Sequence, residues 1–61
     1  MNITITINTD NDAFYMQETA EVARILEDLA MRLNGHPNFS PGLSFPLRDY
    51  NGNEVGYISV K

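Results

Sequence analysis

The sequence has no cysteine and only one histidine, and both shortages limit its chemistry. Without cysteine there can be no disulfide and no thiolate ligand for a metal ion. His36 alone cannot form a zinc site, because such a site needs several strong ligands. A chain of 61 residues buries only about 60% of its unfolded surface. We therefore expect one domain, residues 1–61, that gains stability from good packing, a second copy or a partner.

Basic residues are also few, since four of them stand against eight acidic residues and the formal net charge is −4. The four are scattered along the chain: Arg24, Arg32, Arg48 and Lys61. Nucleic-acid binding draws most of its affinity from basic side chains that contact phosphates. The composition therefore argues against direct nucleic-acid binding, and it favours either a basic protein partner or a surface that simply keeps the chain in solution.

Long apolar segments are missing as well. No run of about 18 apolar residues occurs, so the sequence predicts no membrane-spanning helix. The first residues lack the basic and apolar segments of a signal peptide. Together with the absence of cysteine, this favours a cytoplasmic protein that does not act on membranes.

Two segments have clear periodicity. Residues 2–8 alternate isoleucine with asparagine or threonine, which predicts a strand whose buried face carries Ile3, Ile5 and Ile7. Residues 18–34 predict a helix, because their apolar side chains recur at helical spacing. The predicted apolar stripe comprises Val22, Ile25, Leu26, Leu29 and Leu33.

The segments on either side of this helix predict turns. Residues 9–17 are rich in Asp and Asn, which bond to nearby backbone and interrupt regular structure. We expect a short helical turn capped by Asp12, with Phe14 folded back to close one end of the core. At the other end, Gly35 is expected to stop the helix in the left-handed conformation.

An Asn-Gly pair between two apolar runs predicts a hairpin near the end of the chain. A two-residue turn at Asn51-Gly52 would set Asp49 opposite Glu54, and two like charges would then repel. A longer turn from Asp49 to Gly52, followed by a bulge, uses aspartate and glycine where such a turn favours them. We prefer the longer turn.

The longer turn also predicts the register of the hairpin. It sets Arg48 opposite Glu54, Leu47 opposite Val55 and Phe45 opposite Tyr57. It leaves three apolar side chains near the sheet face that points away from the helix: Tyr50, Ile58 and Val60. An open sheet face with such side chains could hold a second copy of the chain.

The order of the predicted segments is β-α-β-β, with the last two strands at residues 45–49 and 53–60. We therefore expect an α+β fold, with one helix packed on a three-stranded, mostly antiparallel sheet. Pro46 cannot donate to a neighbouring strand, so its strand belongs at an edge. The last strand is then expected in the centre, antiparallel to both others.

The acidic segment after the first strand resembles a calcium loop only in part. Asp10, Asp12 and Glu21 fall at positions one, three and twelve of such a loop. Position six is Tyr15, however, where the calcium loop requires glycine. A capped turn explains these residues better, and we predict no metal site.

Other catalytic arrangements are equally poorly supported. His36 lies in a loop without a neighbouring nucleophile or acid, so we expect it to be solvated. Asp49 with Glu54 could form a carboxylate pair, but a small helix-on-sheet domain has little room for the cleft that hydrolysis needs. Neither glycine pattern of the phosphate-binding loops occurs. We predict no enzymatic activity and no cofactor.

Several short stretches occur in an order that resembles a group of very short, uncharacterised bacteriophage and prophage proteins. They are Asp12-Ala13-Phe14, the segment 21–26 (EVARIL), Leu29-Ala30, Leu33, Gly35 and the segment 47–56 (LRDYNGNEVG). The loop 36–44 is longer and richer in proline than in that group. These stretches are mainly core and turn positions, so the resemblance concerns the fold and carries no site residues.

The resemblance implies an accessory protein of the phage type, acting in the cytoplasm of a bacterial host. Such proteins often bind and block a host complex, including defence complexes such as CRISPR-Cas or restriction enzymes. The alternative is a small homodimeric structural or assembly protein that pairs through the open sheet face. The candidate partner-binding residues are Asp10, Asp12, Glu21, Glu27, Asp28, Met31, Asp49, Tyr50, Glu54 and Ile58.

Overall fold

The computed structural model describes all residues from Met1 to Lys61 and has the predicted α+β fold. Its elements are β1 (Ile3–Ile7), a 3₁₀ turn (Asp12–Phe14), α1 (Glu18–Asn34), β2 (Ser44–Arg48) and β3 (Glu54–Val60). The sheet order is β1-β3-β2, and both strand pairs are antiparallel. The central position of the last strand is therefore confirmed, as is the edge position of the strand that contains Pro46.

The core lies between α1 and the β2–β3 half of the sheet, and Phe14 closes it at one end. The side chain of Phe14 is fully buried, as the sequence predicted. The buried cluster consists of Ala13, Phe14, Ile25, Leu29, Leu47, Val55 and Ile58. Phe14 reaches this cluster because the 3₁₀ turn packs against α1.

Two predicted caps are wrong. The 3₁₀ turn is capped by Asn11 instead of Asp12, since the Asn11 Oδ1 atom accepts a hydrogen bond from the Ala13 N–H at 2.9 Å. Gly35 has a φ of −85°, which is not left-handed. Its N–H donates to the Arg32 carbonyl at 3.1 Å, so α1 ends by tightening its last turn.

The longer hairpin turn is confirmed. The Gly52 N–H donates to the Asp49 carbonyl at 3.0 Å, which closes a four-residue turn. Gly52 has a φ of +86°, a conformation that glycine adopts without steric cost. Arg48 lies opposite Glu54, as predicted.

Beyond that pair the predicted register is wrong, because β3 contains a second irregularity next to Val55. Leu47 lies opposite Gly56 instead of Val55, and Phe45 lies opposite Ile58 instead of Tyr57. A bulge adds one residue to a strand and so reverses the alternation of faces beyond it.

Because of the bulge, the sheet faces predicted for Ile58 and Val60 of β3 are wrong. Val55, Ile58 and Val60 are all buried, whereas strict alternation would separate Val55 from the other two. Ile58 and Val60 therefore point toward α1 and not toward the outer face. Tyr50 also lies beside α1, because its N–H donates to the Glu21 side chain.

The helix covers the sheet unevenly. Arg24 donates to the Arg48 carbonyl at 3.0 Å and Arg32 to the Pro46 carbonyl at 3.3 Å, and both bonds attach α1 to β2. At the opposite edge, Ile3 and Ile5 remain 48% and 45% exposed. Their predicted burial is therefore wrong, although the strand itself is confirmed.

The exposed isoleucines nevertheless lie on the helix side of the sheet. Ile3 is opposite Val60 and Ile5 is opposite Ile58. Directly opposed residues of antiparallel strands share a face. Leu26, predicted in the apolar stripe of the helix, is likewise 42% exposed, because α1 leans toward β2.

The close approach of β1 to the bulge gives a testable prediction. A Cβ atom on Gly56 would overlap the Thr6 carbonyl group, and a backbone carbonyl in a paired strand cannot move aside. We expect Gly56→Ala to destabilise the domain by about 1–3 kcal/mol or more, seen as a lower urea midpoint.

Gly35→Ala is the matched control. Gly35 has right-handed backbone angles, and an added Cβ would come no closer than 3.4 Å to another atom, the Arg32 carbonyl oxygen. Its urea midpoint should stay the same or rise slightly. Equal midpoints for the two variants would contradict the close approach of Gly56 to β1.

Candidate functional site

Two carboxylates are buried where the β1–α1 connection, the start of α1 and the hairpin turn meet. Glu21 and Asp49 are each only 4% exposed. An ionised carboxylate is costly to bury unless hydrogen bonds replace its water. The partners of these two groups therefore decide whether they form a reactive site or a structural one.

Asp49 is fully occupied by hydrogen bonds. Its Oδ1 atom accepts from the backbone N–H groups of Asn51 and Asn53, both at 2.9 Å. Its Oδ2 atom accepts from the Asn11 side chain at 2.7 Å and from the Asn53 side chain at 3.3 Å. Because Asn11 also caps the 3₁₀ turn, Asp49 connects that turn to the hairpin.

Glu21 makes the second connection. Its Oε1 atom accepts from Arg24 Nε at 2.6 Å. Its Oε2 atom accepts from Arg24 Nη2 at 3.1 Å and from the Tyr50 N–H at 2.8 Å. Glu21 therefore attaches the first turn of α1 to the hairpin turn, which is why it is buried although the apolar stripe excludes it.

These contacts keep both acids ionised. The hydrogen bond from Arg24 is the largest influence on Glu21 and holds its pKa below the ordinary 4.5, although burial opposes it. Burial raises the pKa of Asp49, but hydrogen bonds from Asn53, Asn11 and Asn51 outweigh it and leave the pKa below 3.8. A general acid or base at neutral pH works best with a pKa near 7, so the lowered pKa values favour a structural role for this pair.

The predicted partner-binding residues fall into two groups. Seven are exposed: Asp10, Asp12, Glu27, Asp28, Met31, Tyr50 and Glu54. Three are buried, namely Glu21, Asp49 and Ile58, so the surface position predicted for them is wrong. The first two belong to the network above, and the bulge turns Ile58 into the core.

Three of the six exposed acids lie near one another. Asp10 and Glu54 line a shallow depression, together with Asn8, Asn11 and Val55. Asp12 is exposed beside it. We call Asp10, Asp12 and Glu54 the acidic end. Their carboxylates do not converge, and the chain contains no group of three acidic or histidine side chains placed to hold a metal ion.

The cationic side chains are largely engaged within the molecule. Arg24 pairs with Glu21 at 2.6 Å, and Arg32 pairs with Asp28 at 3.1 Å. Arg48 donates to the Gly52 carbonyl at 3.3 Å. None of the three carboxylates of the acidic end forms an ion pair, although the charge of Arg48 lies across the hairpin from Glu54.

The outer sheet face differs from the sequence prediction, whereas the loop histidine His36 is exposed as expected. The outer sheet face is mostly polar, since Thr4, Thr6, Ser44 and Ser59 lie there around Tyr57. The loop histidine is exposed, but its ring stacks on Phe45 with centroids 5.9 Å apart and an interplanar angle of 10°. The apolar patch expected on the outer face is absent.

Comparison of the chain with protein-family models, curated proteins and solved structures finds no match. The helix is neither long nor apolar enough to cross a membrane. The surface chemistry of the molecule is therefore the basis for any functional proposal.

The buried acids predict how stability depends on pH. Both folded-state pKa values lie below the ordinary values of 4.5 and 3.8, so the folded state binds fewer protons than the unfolded state. The stabilisation is present at neutral pH and is lost as the pH falls below about 4.5. We expect the urea midpoint to fall in that range.

Replacing the carboxylate of either Glu21 or Asp49 should weaken the dependence of the urea midpoint on pH. Glu21→Gln and Asp49→Asn are expected to be less stable at pH 7 and to lose less on acidification. Asp10→Asn is the control, because the Asp10 carboxylate accepts no hydrogen bond and its loss should leave the profile unchanged. A wild-type profile retained in both buried-site variants would contradict the role of the network.

Proposed function

We propose that this chain is a non-enzymatic protein-binding module whose acidic end occupies a basic surface of a partner complex. The observation that supports it is the division of charge. The carboxylates of Asp10, Asp12 and Glu54 are exposed without ion-pair partners, whereas three of the four cationic side chains bond within the molecule. Three exposed carboxylates without ion pairs therefore share one end of the molecule, and two more, Glu18 and Glu27, lie on α1.

The partner best suited to this surface has a basic groove that normally holds nucleic acid. Complementary charge accelerates encounter and excludes wrongly charged partners. A bound acidic domain would block the groove by occupying it. The resemblance to short phage proteins supports a host defence complex, such as a CRISPR-Cas or restriction enzyme, met in the cytoplasm of the bacterial host.

The acidic end is also held in a fixed shape. The Asn11 side chain bonds to Asp49 directly beneath it, joining the segment that carries Asp10 to the hairpin that carries Glu54. A surface ordered before binding loses less conformational entropy when it binds. Tyr50, exposed on the same hairpin turn, offers an aromatic side chain of the type that often anchors interfaces.

The helix offers a weaker acidic surface. Asp28 forms an ion pair with Arg32 at 3.1 Å. Of the adjacent residues Glu27 and Asp28, only Glu27 therefore has an unpaired carboxylate. The acidic end is therefore the better candidate for the contact. Glu18 and Glu27 then serve as comparison sites, since both are exposed on α1 outside the acidic end.

The test is inhibition of DNA cleavage by purified CRISPR and restriction complexes. We expect the wild-type protein to inhibit one of them, with inhibition weakening as salt is added. Asp10→Asn/Glu54→Gln should raise the inhibitory concentration several-fold, because exposed charge pairs each contribute modestly.

Glu18→Gln/Glu27→Gln is the matched control, since it removes the same amount of charge from α1. It should inhibit nearly as well as the wild type. Equal loss in both variants would show that only net charge matters, and inhibition independent of salt would contradict charge recognition. No inhibition of any complex would contradict the blocking role.

A further inference from the structure

β1 is an unprotected edge of the sheet. It pairs only with β3, so the backbone on its other side is open. Edge strands are normally guarded by charged side chains or proline against pairing with other chains. The opposite edge strand, β2, carries Pro46 and Arg48, whereas residues 2–8 contain no proline and no charge.

The hydrogen-bond pattern shows which backbone groups face outward. Asn2 exchanges two bonds with Lys61, at 2.7 and 2.9 Å. Because bonded residues alternate along an antiparallel strand, Thr4 and Thr6 also bond to β3. The N–H and C=O groups of Ile3, Ile5 and Ile7 therefore point to the open edge.

The bonds of β3 agree with this assignment. Val60, opposite Ile3, turns its backbone groups the other way: its N–H donates to the Leu43 carbonyl at 2.9 Å, and its carbonyl accepts from the Gly42 N–H at 2.8 Å. Val60 therefore makes no backbone bond to Ile3. The N–H and C=O groups of Ile3 point to the open edge and have no partner in β3.

The sequence of this edge strand is palindromic. Residues 2–8 read Asn-Ile-Thr-Ile-Thr-Ile-Asn in either direction, with Ile5 at the centre. An antiparallel pairing of two copies about Ile5 would set Ile3 against Ile7 and Thr4 against Thr6. Every residue would then meet a similar one, as a self-complementary interface about a two-fold axis requires.

We propose that the protein forms a homodimer by antiparallel pairing of β1 with β1 of a second copy, with the two-fold axis at Ile5. In this register the outward-facing residues are also the hydrogen-bonded ones. Ile5 exchanges two backbone bonds with its counterpart, and Ile3 does the same with Ile7 of the second copy. The two sheets become one continuous sheet, and the open edges disappear.

Exposed apolar side chains flank the same edge. Ile3 and Ile5 are nearly half exposed on the helix side, and the dimer places them beside the isoleucines of the second copy. Leu26 lies on the flank of α1 opposite the arginines that bond to β2, and so on the flank nearer β1. This row gives the edge a hydrophobic contribution beyond its backbone bonds.

A short edge buries less than the roughly 800 Å² per partner of a standard interface. We therefore expect a weak dimer that forms as concentration rises. Dimerisation does not depend on the proposed inhibitory role. It would add to that role, because antiparallel pairing directs the acidic ends of the two copies in opposite directions.

The first test is sedimentation equilibrium from micromolar to millimolar concentration, combined with amide hydrogen exchange followed by NMR. We expect a monomer–dimer equilibrium in which the amides of Ile3, Ile5 and Ile7 gain protection as the dimer forms. A monomer at all concentrations would overturn the proposal. A dimer whose Ile3, Ile5 and Ile7 amides stay unprotected would also overturn it.

The second test uses a matched pair of lysine substitutions. Ile5→Lys sets two like charges at the two-fold axis, and the half-exposed site lets the lysine reach water in the monomer. It should weaken dimerisation at least tenfold. Ser44→Lys adds the same charge at the β2 edge and should dimerise like the wild type. Equal dimerisation of the two variants would overturn the assignment to β1.

Discussion

The arrangement of this domain depends on the buried carboxylate of Asp49. Its two oxygens accept from the hairpin turn and from Asn11, the cap of the 3₁₀ turn that delivers Phe14 to the core. The strands of the hairpin are joined to the first part of the chain by the β1–β3 pairing and by the arginines of α1, whereas Asp49 attaches the hairpin turn itself. Glu21 adds a second attachment through Arg24 and the Tyr50 N–H. A small core is in this way supplemented by a polar network that orients the hairpin.

The bulge beside Val55 has consequences beyond the hairpin. It turns Val55, Ile58 and Val60 to one face, so the helix-side surface of β3 is almost wholly apolar while the outer face stays polar. The helix covers the β2–β3 half of that surface, where its arginines reach the carbonyls of β2. Ile7 of β1 packs against this core, whereas Ile3 and Ile5 lie on the same face but stay exposed. The aliphatic side chains that the sheet leaves exposed, Ile3 and Ile5, therefore lie at its β1 edge.

Structural features that depend on neighbouring residues were predictable from the sequence. Features that depend on contacts between distant residues were not. The extent of α1, the turn from Asp49 to Gly52 and the edge position of Pro46 each follow from a few neighbouring residues. The burial of Glu21 depends on Tyr50, which is 29 positions away. Next to the bulge, Gly56 lies against the carbonyl of Thr6, a residue of a strand far away in the sequence. The acidic residues show the same contrast. The composition indicated an acidic surface, but it did not indicate which acids are buried and structural.

The acidic end and the β1 edge meet at Asn8, which lines the acidic depression and ends the segment that pairs in the proposed dimer. The acidic end is formed by side chains of the β1–α1 connection and the hairpin, whereas the β1 edge offers backbone groups and isoleucines. Apart from Asn8, the proposed partner and the proposed second copy would contact different groups of the protein. Antiparallel pairing would direct the two acidic ends apart, and a divalent molecule bridging two basic sites gains avidity only if both can be reached together. A weak dimer would then become stable chiefly on its partner, where the two sites raise the local concentration of the two copies.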